Sequence, residues 1–225
     1  MERFDPRSVR EHFDSIASRY DDGKARQARY WRALVRIYQE LVPAGATVLE
    51  VGCGTGSLLA SLSPRRGAGL DISPAMVEAA RAKHPELEFW VEDIARPTRR
   101  DAFEFVLLCD VLEHLPDPDS ALEGLKSYAD GRTLFVATAA NPLWAGPLHL
   151  AEALRLKLPE GDHEWMSLKQ LRGLLERHGF RLETAEGRIL LPFRVPWLGG
   201  SLDRLAALRP LRALAFTYAV VFRLG

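Results

Sequence analysis

Four acidic residues recur where apolar runs end. Glu50 lies one residue inside the end of "TVLEV", and Asp71, Asp93 and Asp110 close the runs "GAGLD", "LEFWVED" and "FEFVLLCD". In an open parallel sheet ligands bind beyond the carboxyl ends of the strands, so acids at such places mark a candidate binding site. Random placement would not usually set acids at the last position of three successive runs. Directly behind the first run stand Gly52, Gly54 and Gly56, at alternate positions in "LEVGCGTG". Lacking Cβ, they permit positive φ and let the main chain of a tight turn come into contact with a ligand. A dinucleotide fingerprint requires its third glycine one position further on, where this chain has Ser57. The G-x-G-x-G spacing suits a ligand without a pyrophosphate, an adenosine that carries an amino acid.

The elements that must hold these residues follow from periodicity and punctuation. The four runs are of strand length and mostly lack polar alternation, as in strands buried on both faces. Helical segments fall between them, at residues 55–62 and from Pro74, which Ser73 caps. Another spans residues 118–128 with Asp117 as its cap, and "GRTLFVAT" supplies a fifth strand. This alternation predicts an α/β fold with a parallel sheet covered on both faces. Residues 25–41 place Tyr30, Leu34, Ile37, Tyr38 and Leu41 at steps of three and four, an amphipathic helix ahead of the sheet. After Asn141 the rhythm breaks into an excursion with prolines and apolar residues. Regularity returns at "SLKQLRGLLERHGF", where Ser167 and Gln170 form a capping box and Gly179 ends the helix. "RLETAEGRIL" and "TYAVVFRL" then read as a strand hairpin.

The chain has 225 residues, 47% hydrophobic and 27% charged, enough for one well-packed domain. Its 30 basic and 30 acidic residues cancel, which argues against nucleic acid as a partner. Cys53 and Cys109 form no disulfide framework or metal-ligand spacing and read as buried spacers, and no metal is expected. The charged start "MERFDPRSVREHFD" has no secretory character, and the apolar stretch 213–222 is about half a membrane span. The expected compartment is the cytoplasm. Between Phe193 and Arg212 the tail mixes leucines and Trp197 with arginines. Peripheral contact with a lipid surface is the less favoured reading of that mixture, because a helix packed on the sheet looks the same. Nothing in the chain specifies an oligomeric state.

"LEVGCGTG", "GLDISPAMVEAAR", "VEDI" and "FVLLCDVLEHLPDP", in this order and register, resemble the successive motifs of class I S-adenosylmethionine-dependent methyltransferases of the small-molecule type. The resemblance covers roughly residues 19–180. It implies a Rossmann-like, seven-stranded, mostly parallel sheet whose last strand is antiparallel, with S-adenosyl-L-methionine as cofactor. It also divides the single domain into a helical cap (1–45), a cofactor-binding core (46–140), an acceptor-side excursion (141–166) and a C-terminal helix and hairpin (167–225). By the same resemblance Gly52, Gly54 and Gly56 lie beside the methionine half and Asp71 takes both ribose hydroxyls. Ile72 flanks the adenine, Asp93 accepts from its amino group, and Ile94 lies beside the ring. Asp110 lies near the methionine amino group or the reacting methyl, and Tyr20 resembles an aromatic that closes over the cofactor.

Methyl transfer from a sulfonium depends chiefly on alignment, so a base is helpful rather than required. Three histidines are candidates: His114 after the fourth run, His149 in the excursion, and His163 in "GDHEW", the favoured one. Trp144 and Trp165 flank the excursion and could wall an apolar acceptor pocket. The expected activity is methyl transfer to a small, partly apolar acceptor, with oxygen favoured and nitrogen and carbon acceptors left open. The motif associated with amino groups of bases is absent, since the chain reads "CDVLEHL" there. A cofactor-binding but non-catalytic partner or sensor is the alternative. An NAD-dependent oxidoreductase would need the other glycine spacing.

Overall fold

A computed structural model describes residues 5–146, 164–191 and 213–225. Three helices lead into the sheet: α1 (Pro6–Ile16), α2 (Tyr20–Arg26) and α3 (Ala28–Leu41). Strand and helix then alternate through β1 (Thr47–Val51), α4 (Ser57–Ser61), β2 (Arg66–Asp71), α5 (Pro74–Lys83) and β3 (Glu88–Val91). They continue through β4 (Phe105–Cys109), α6 (Pro118–Leu125), β5 (Leu134–Ala140), α7 (Leu168–Arg177), β6 (Phe180–Ile189) and β7 (Thr217–Leu224). Local chemistry sets several of these boundaries. Asp5–Pro6, Ser73–Pro74 and Asp117–Pro118 each pair a side-chain cap with a proline at the first helical position. The Ser167–Gln170 capping box is formed, and Gly179, at φ +73°, follows α7.

The seven strands run in the order β3-β2-β1-β4-β5-β7-β6. All pairings from β3 to β5 are parallel, and β7 is antiparallel to both β5 and β6. The expected sheet and its reversed last strand are thus present. Alternate residues divide the core in two. Leu49, Val51, Val106, Leu108, Phe135 and Ala137 pack with Leu122 of α6 and Leu171, Leu174 and Leu175 of α7. Val48, Leu107 and Val136 face the other way, against α3, α4 and α5.

Four expectations are corrected in detail. The helix read at 25–41 is two helices that meet at Gln27, with α2 reaching back to Tyr20. The helix read at 55–62 is the short α4, because Gly56 at φ +74° is still turn. The helix read at 118–128 ends at Leu125 and gives way to a 3-10 turn. β3 ends at Val91 and β4 at Cys109, so Asp93 lies two residues beyond its strand and Asp110 one beyond. The β3 ladder stops because Val91 pairs with Asp71, the last residue of β2.

Candidate active site

In an open α/β sheet a ligand crevice forms beyond the strand carboxyl ends, where the chain leaves neighbouring strands in opposite directions. Here that place is between β1 and β4. The turn after β1 carries Gly52, Gly54 and Gly56 at φ +68°, +52° and +74°. It is pinned to the neighbouring strand by the Gly52 and Cys53 N–H groups, which donate to the Leu70 carbonyl at 2.8 and 3.0 Å. A Cβ on Gly52 would stand 2.6 Å from Val111 Cγ2, so the turns after β1 and β4 meet in direct contact. A Cβ on Gly56 would strike Phe89 at 2.6 Å, which makes this glycine a packing requirement of the turn against β3.

Asp71 is buried at the end of β2 and organises the crevice. The Gly54 N–H donates to its Oδ2 at 2.8 Å and the Ser73 N–H to its Oδ1 at 2.9 Å. Each oxygen keeps a further lone pair for an outside donor. Burial raises its pKa, against the pull of these two N–H groups. Glu50 is also buried, and its Oε2 accepts from the Leu59 N–H at 3.1 Å, tying β1 to the first turn of α4. Burial pushes its carboxyl up as well, opposed by the positive charge of Lys24.

Asp93 is half-buried and its Oδ1 accepts from the Ala95 N–H at 2.9 Å. Ile72 is half-buried beside Asp71, whereas Ile94 is buried and its carbonyl abuts the bare Cα of Gly124 on α6. Asp110 adopts φ +53°, a left-handed conformation uncommon outside glycine. Its Oδ1 accepts from Thr138 Oγ1 at 2.7 Å and its Oδ2 from the Tyr30 hydroxyl at 2.8 Å.

The N-terminal helices close over the turn. The Tyr20 ring lies 3.0 Å from where a Cβ of Gly54 would be, and burial holds its phenol far above the usual range. Asp14 of α1 accepts from the Ser73 hydroxyl at 2.6 Å and the Ala75 N–H at 3.1 Å. Asp21 of α2 accepts from Thr55 at 2.8 Å and Lys83 at 2.7 Å. The Lys24 ammonium stands 4.5 Å from the Tyr20 ring centroid and 3.7 Å from that of Trp31.

Beyond β5 and β7, Tyr30, Trp144 and Trp165 pack on Ala140 and Phe216. This brings the two excursion tryptophans into one aromatic cluster, with Tyr30 reaching from it to Asp110. His114 packs edge-on against Phe13 at 5.7 Å. His149 and the favoured base His163 lie outside the described residues, as does the tail from Phe193 to Arg212. Burial raises the thiol pKa of both Cys53 and Cys109, which suits spacers rather than nucleophiles. Sequence reasoning missed Asp14, Asp21, Lys24, Tyr30 and Trp31. Of these, Lys24 carried a signal, because it follows Tyr20 by four residues on one helix face.

A family model described as a methyltransferase domain matches residues 23–185. The chain belongs to this methyltransferase family. It is 33% identical over 170 residues to a ubiquinone biosynthesis O-methyltransferase of Xanthomonas axonopodis, covering 68% of this chain and 70% of that protein. A Xanthomonas campestris protein of the same name is 30% identical over 203 residues, covering 81% and 84% of the two chains. Among solved structures, the chain resembles one from a Haloferax volcanii complex of the Trm112 methyltransferase activator and a putative methyltransferase. That match has a TM-score of 0.72 at 22% identity and covers 95% of this chain and 97% of the other. A magnesium protoporphyrin IX methyltransferase from Synechocystis with bound SAH gives 0.67 at 18% identity, covering 98% and 100%. The methyltransferase match places the protein among enzymes of the transferase class. No helix among the described residues is long and apolar enough to cross a membrane.

Proposed function

We propose that this methyltransferase moves a methyl group from S-adenosylmethionine to an oxygen of a small, partly apolar acceptor. The observation that carries the reading is the buried Asp71 carboxylate, which holds the Gly54 and Ser73 N–H groups at the carboxyl ends of β1 and β2, beside the switch point of the sheet. A glycine turn fixed in this way presents bare main chain to a ligand, and the carboxylate beside it keeps lone pairs for two ribose hydroxyls. When bound, S-adenosylmethionine supplies a methyl already activated on a sulfonium.

The remaining work falls to the chain. Ile72 and Ile94 flank the adenine, Asp93 accepts from its amino group, and Tyr20 covers the turn. Gly52 and Gly56 set the path of that turn, and Glu50 anchors α4 behind it. Asp110 takes the place nearest the methionine amino group or the moving methyl, held there by Thr138 and Tyr30. The cluster of Tyr30, Trp144, Trp165 and Phe216 forms an apolar wall beside it for the acceptor. Orienting the acceptor against the methyl in this crevice accounts for the largest share of the rate, about 7–11 kcal/mol for well-aligned reactants. His163 is the residue proposed to accept the hydroxyl proton.

Oxygen is favoured because the Xanthomonas relatives bear the name O-methyltransferase. The test is to incubate the protein with methyl-labelled S-adenosylmethionine and fractionated small molecules from its source. Label in an O-methyl group of a low-mass compound is expected. Label in an N-methyl group refutes the choice of oxygen, and label confined to protein or nucleic acid refutes the acceptor class.

A further inference from the structure

The chain leaves β5 through Asn141, whose side chain is buried. It caps the 3-10 turn Pro142–Trp144, with its Oδ1 accepting from the Leu143 N–H at 3.1 Å. Its Nδ2 carries two N–H groups and has three acceptors in reach: the Tyr218 hydroxyl at 2.7 Å and the Ala215 and Ala213 carbonyls at 2.8 and 3.1 Å. The Tyr218 hydroxyl passes its own hydrogen to the Ala213 carbonyl at 3.1 Å, and the Asn141 N–H donates to the Phe216 carbonyl at 2.7 Å. A buried amide is tolerated when its bonds are made. Here they tie the chain leaving β5 to the chain entering β7. The β5–β7 ladder ends at Ala140 and Thr217, so the carboxamide lies beyond the sheet and fastens the two connecting stretches rather than the strands.

Those two stretches carry the aromatic wall. Trp144 meets Phe216 edge-on at 5.9 Å, and its indole N–H donates to the Leu214 carbonyl at 3.0 Å. Phe216 in turn meets the Tyr30 ring at 5.6 Å, and the Tyr30 hydroxyl donates to Asp110. Contacts thus run without a break from the Asn141 amide through the wall to the carboxylate at the mouth of β4. We propose that Asn141 is the positioning residue of the acceptor wall, setting where Trp144 and Phe216 stand and hence how an acceptor is aimed at the methyl group. The inference deepens the methyl-transfer reading and rests on it.

Asn141→Leu keeps the bulk of the side chain and removes all of its hydrogen bonds. Two quantities are measured: kcat/KM for the low-mass compound that the unaltered protein labels, and S-adenosylmethionine affinity by calorimetry. A misplacement of about 1 Å can cost a hundredfold, so kcat/KM should fall about 10- to 100-fold while S-adenosylmethionine affinity stays within about threefold. Tyr218→Phe removes one bond of the ring and spares the contact with Ala215, so it should lower kcat/KM in the same direction by about two- to fivefold. Should Asn141→Leu fail to fold, Tyr218→Phe decides by the same two measurements. An unchanged kcat/KM would mean that the amide only stabilises the fold, and an equal fall in S-adenosylmethionine affinity would mean general loosening; either overturns the inference. If the unaltered protein binds S-adenosylmethionine but labels no low-mass compound, the acceptor reading fails and the inference fails with it.

Discussion

Replacing Gly56 by alanine probes the turn on which the site depends. At φ +74° a residue with a Cβ carries a strain of about 1–2 kcal/mol. The new methyl would also stand 2.6 Å from Phe89 Cζ, 2.9 Å from its Cε1 and 3.2 Å from His84 Cδ2. Phe89 cannot swing away freely, because it is buried and also closes on the bare Cα of Gly69, where a Cβ would approach it to 2.8 Å. Overpacking of this kind costs about 1–3 kcal/mol, so the expected total is about 2–5 kcal/mol. Gly179→Ala is the control. Its φ is +73°, and a Cβ there meets nothing within 4 Å, so strain alone, about 1–2 kcal/mol, is expected. Urea unfolding with a common slope measures both. Adding Phe89→Leu to Gly56→Ala should recover part of the loss, since the two sites touch. Equal losses for Gly56→Ala and Gly179→Ala would refute the claim that Phe89 fixes the turn.

Three further outcomes follow from the same geometry. Asp71→Asn presents an amide N–H to one of two backbone donors and leaves that donor stranded, at about 1–3 kcal/mol of stability, and it removes the charged acceptor for the ribose hydroxyls, about 1.5–3 kcal/mol, so calorimetry should find S-adenosylmethionine binding weakened at least about tenfold. His178 has its two ring nitrogens 2.7 and 2.8 Å from Glu123 and Asp119, and these partners raise its pKa above 6.5. Its stabilisation is therefore complete below pH 6.5 and fades as pH climbs through the raised value, so His178→Gln should cost about 1 kcal/mol at low pH and little at high pH in thermal unfolding. Burial also raises the Glu50 pKa, so its contribution is present below the ordinary carboxylate range and is lost as pH rises. Glu50→Gln should accordingly gain in relative melting temperature between acid and alkaline buffer, and a constant difference would refute this.

What the sequence disclosed was whatever local chemistry decides. The Ser167–Gln170 box, the prolines after Ser73 and Asp117, and the positive-φ glycines act within a few residues, and the structure has them where the pattern put them. Asp93 and Asp110 were displaced from their strand ends because an end is set by the partner strand. β3 can ladder only as far as Asp71 of β2 extends, and the chain turns into the left-handed region at Asp110. The break at Gln27 has no proline or glycine beside it to announce it. Lys24 and Tyr30 acquire meaning through Trp31, Asp110 and Thr217, contacts that arise only when the N-terminal helices fold back over the strand ends.

Thr138 shows how such a distant contact can hold a strained residue. Its hydroxyl donates to Asp110 Oδ1 at 2.7 Å and accepts from the Asp110 N–H at 3.1 Å, which fixes both the side chain and the main chain of one residue. Tyr38 stands 3.3 Å from the same hydroxyl and donates to the Leu108 carbonyl, so the neighbouring strand end is held too. A residue at φ +53° keeps its conformation only while its surroundings over-determine it. Thr138→Val preserves shape and burial and removes both bonds, at about 1–3 kcal/mol for the groups that lose their partner. Part of that loss should be returned as Asp110 relaxes toward negative φ, and the relaxation should move its carboxylate away from Tyr30. Thr138→Ser, which keeps the hydroxyl and loses a methyl, should cost about 1 kcal/mol and leave Asp110 in place. Valine should therefore impair methyl transfer to the acceptor far more than serine does, even where urea unfolding finds the two variants close in stability. Equal activity in both would mean that the left-handed turn at Asp110 sustains itself without Thr138.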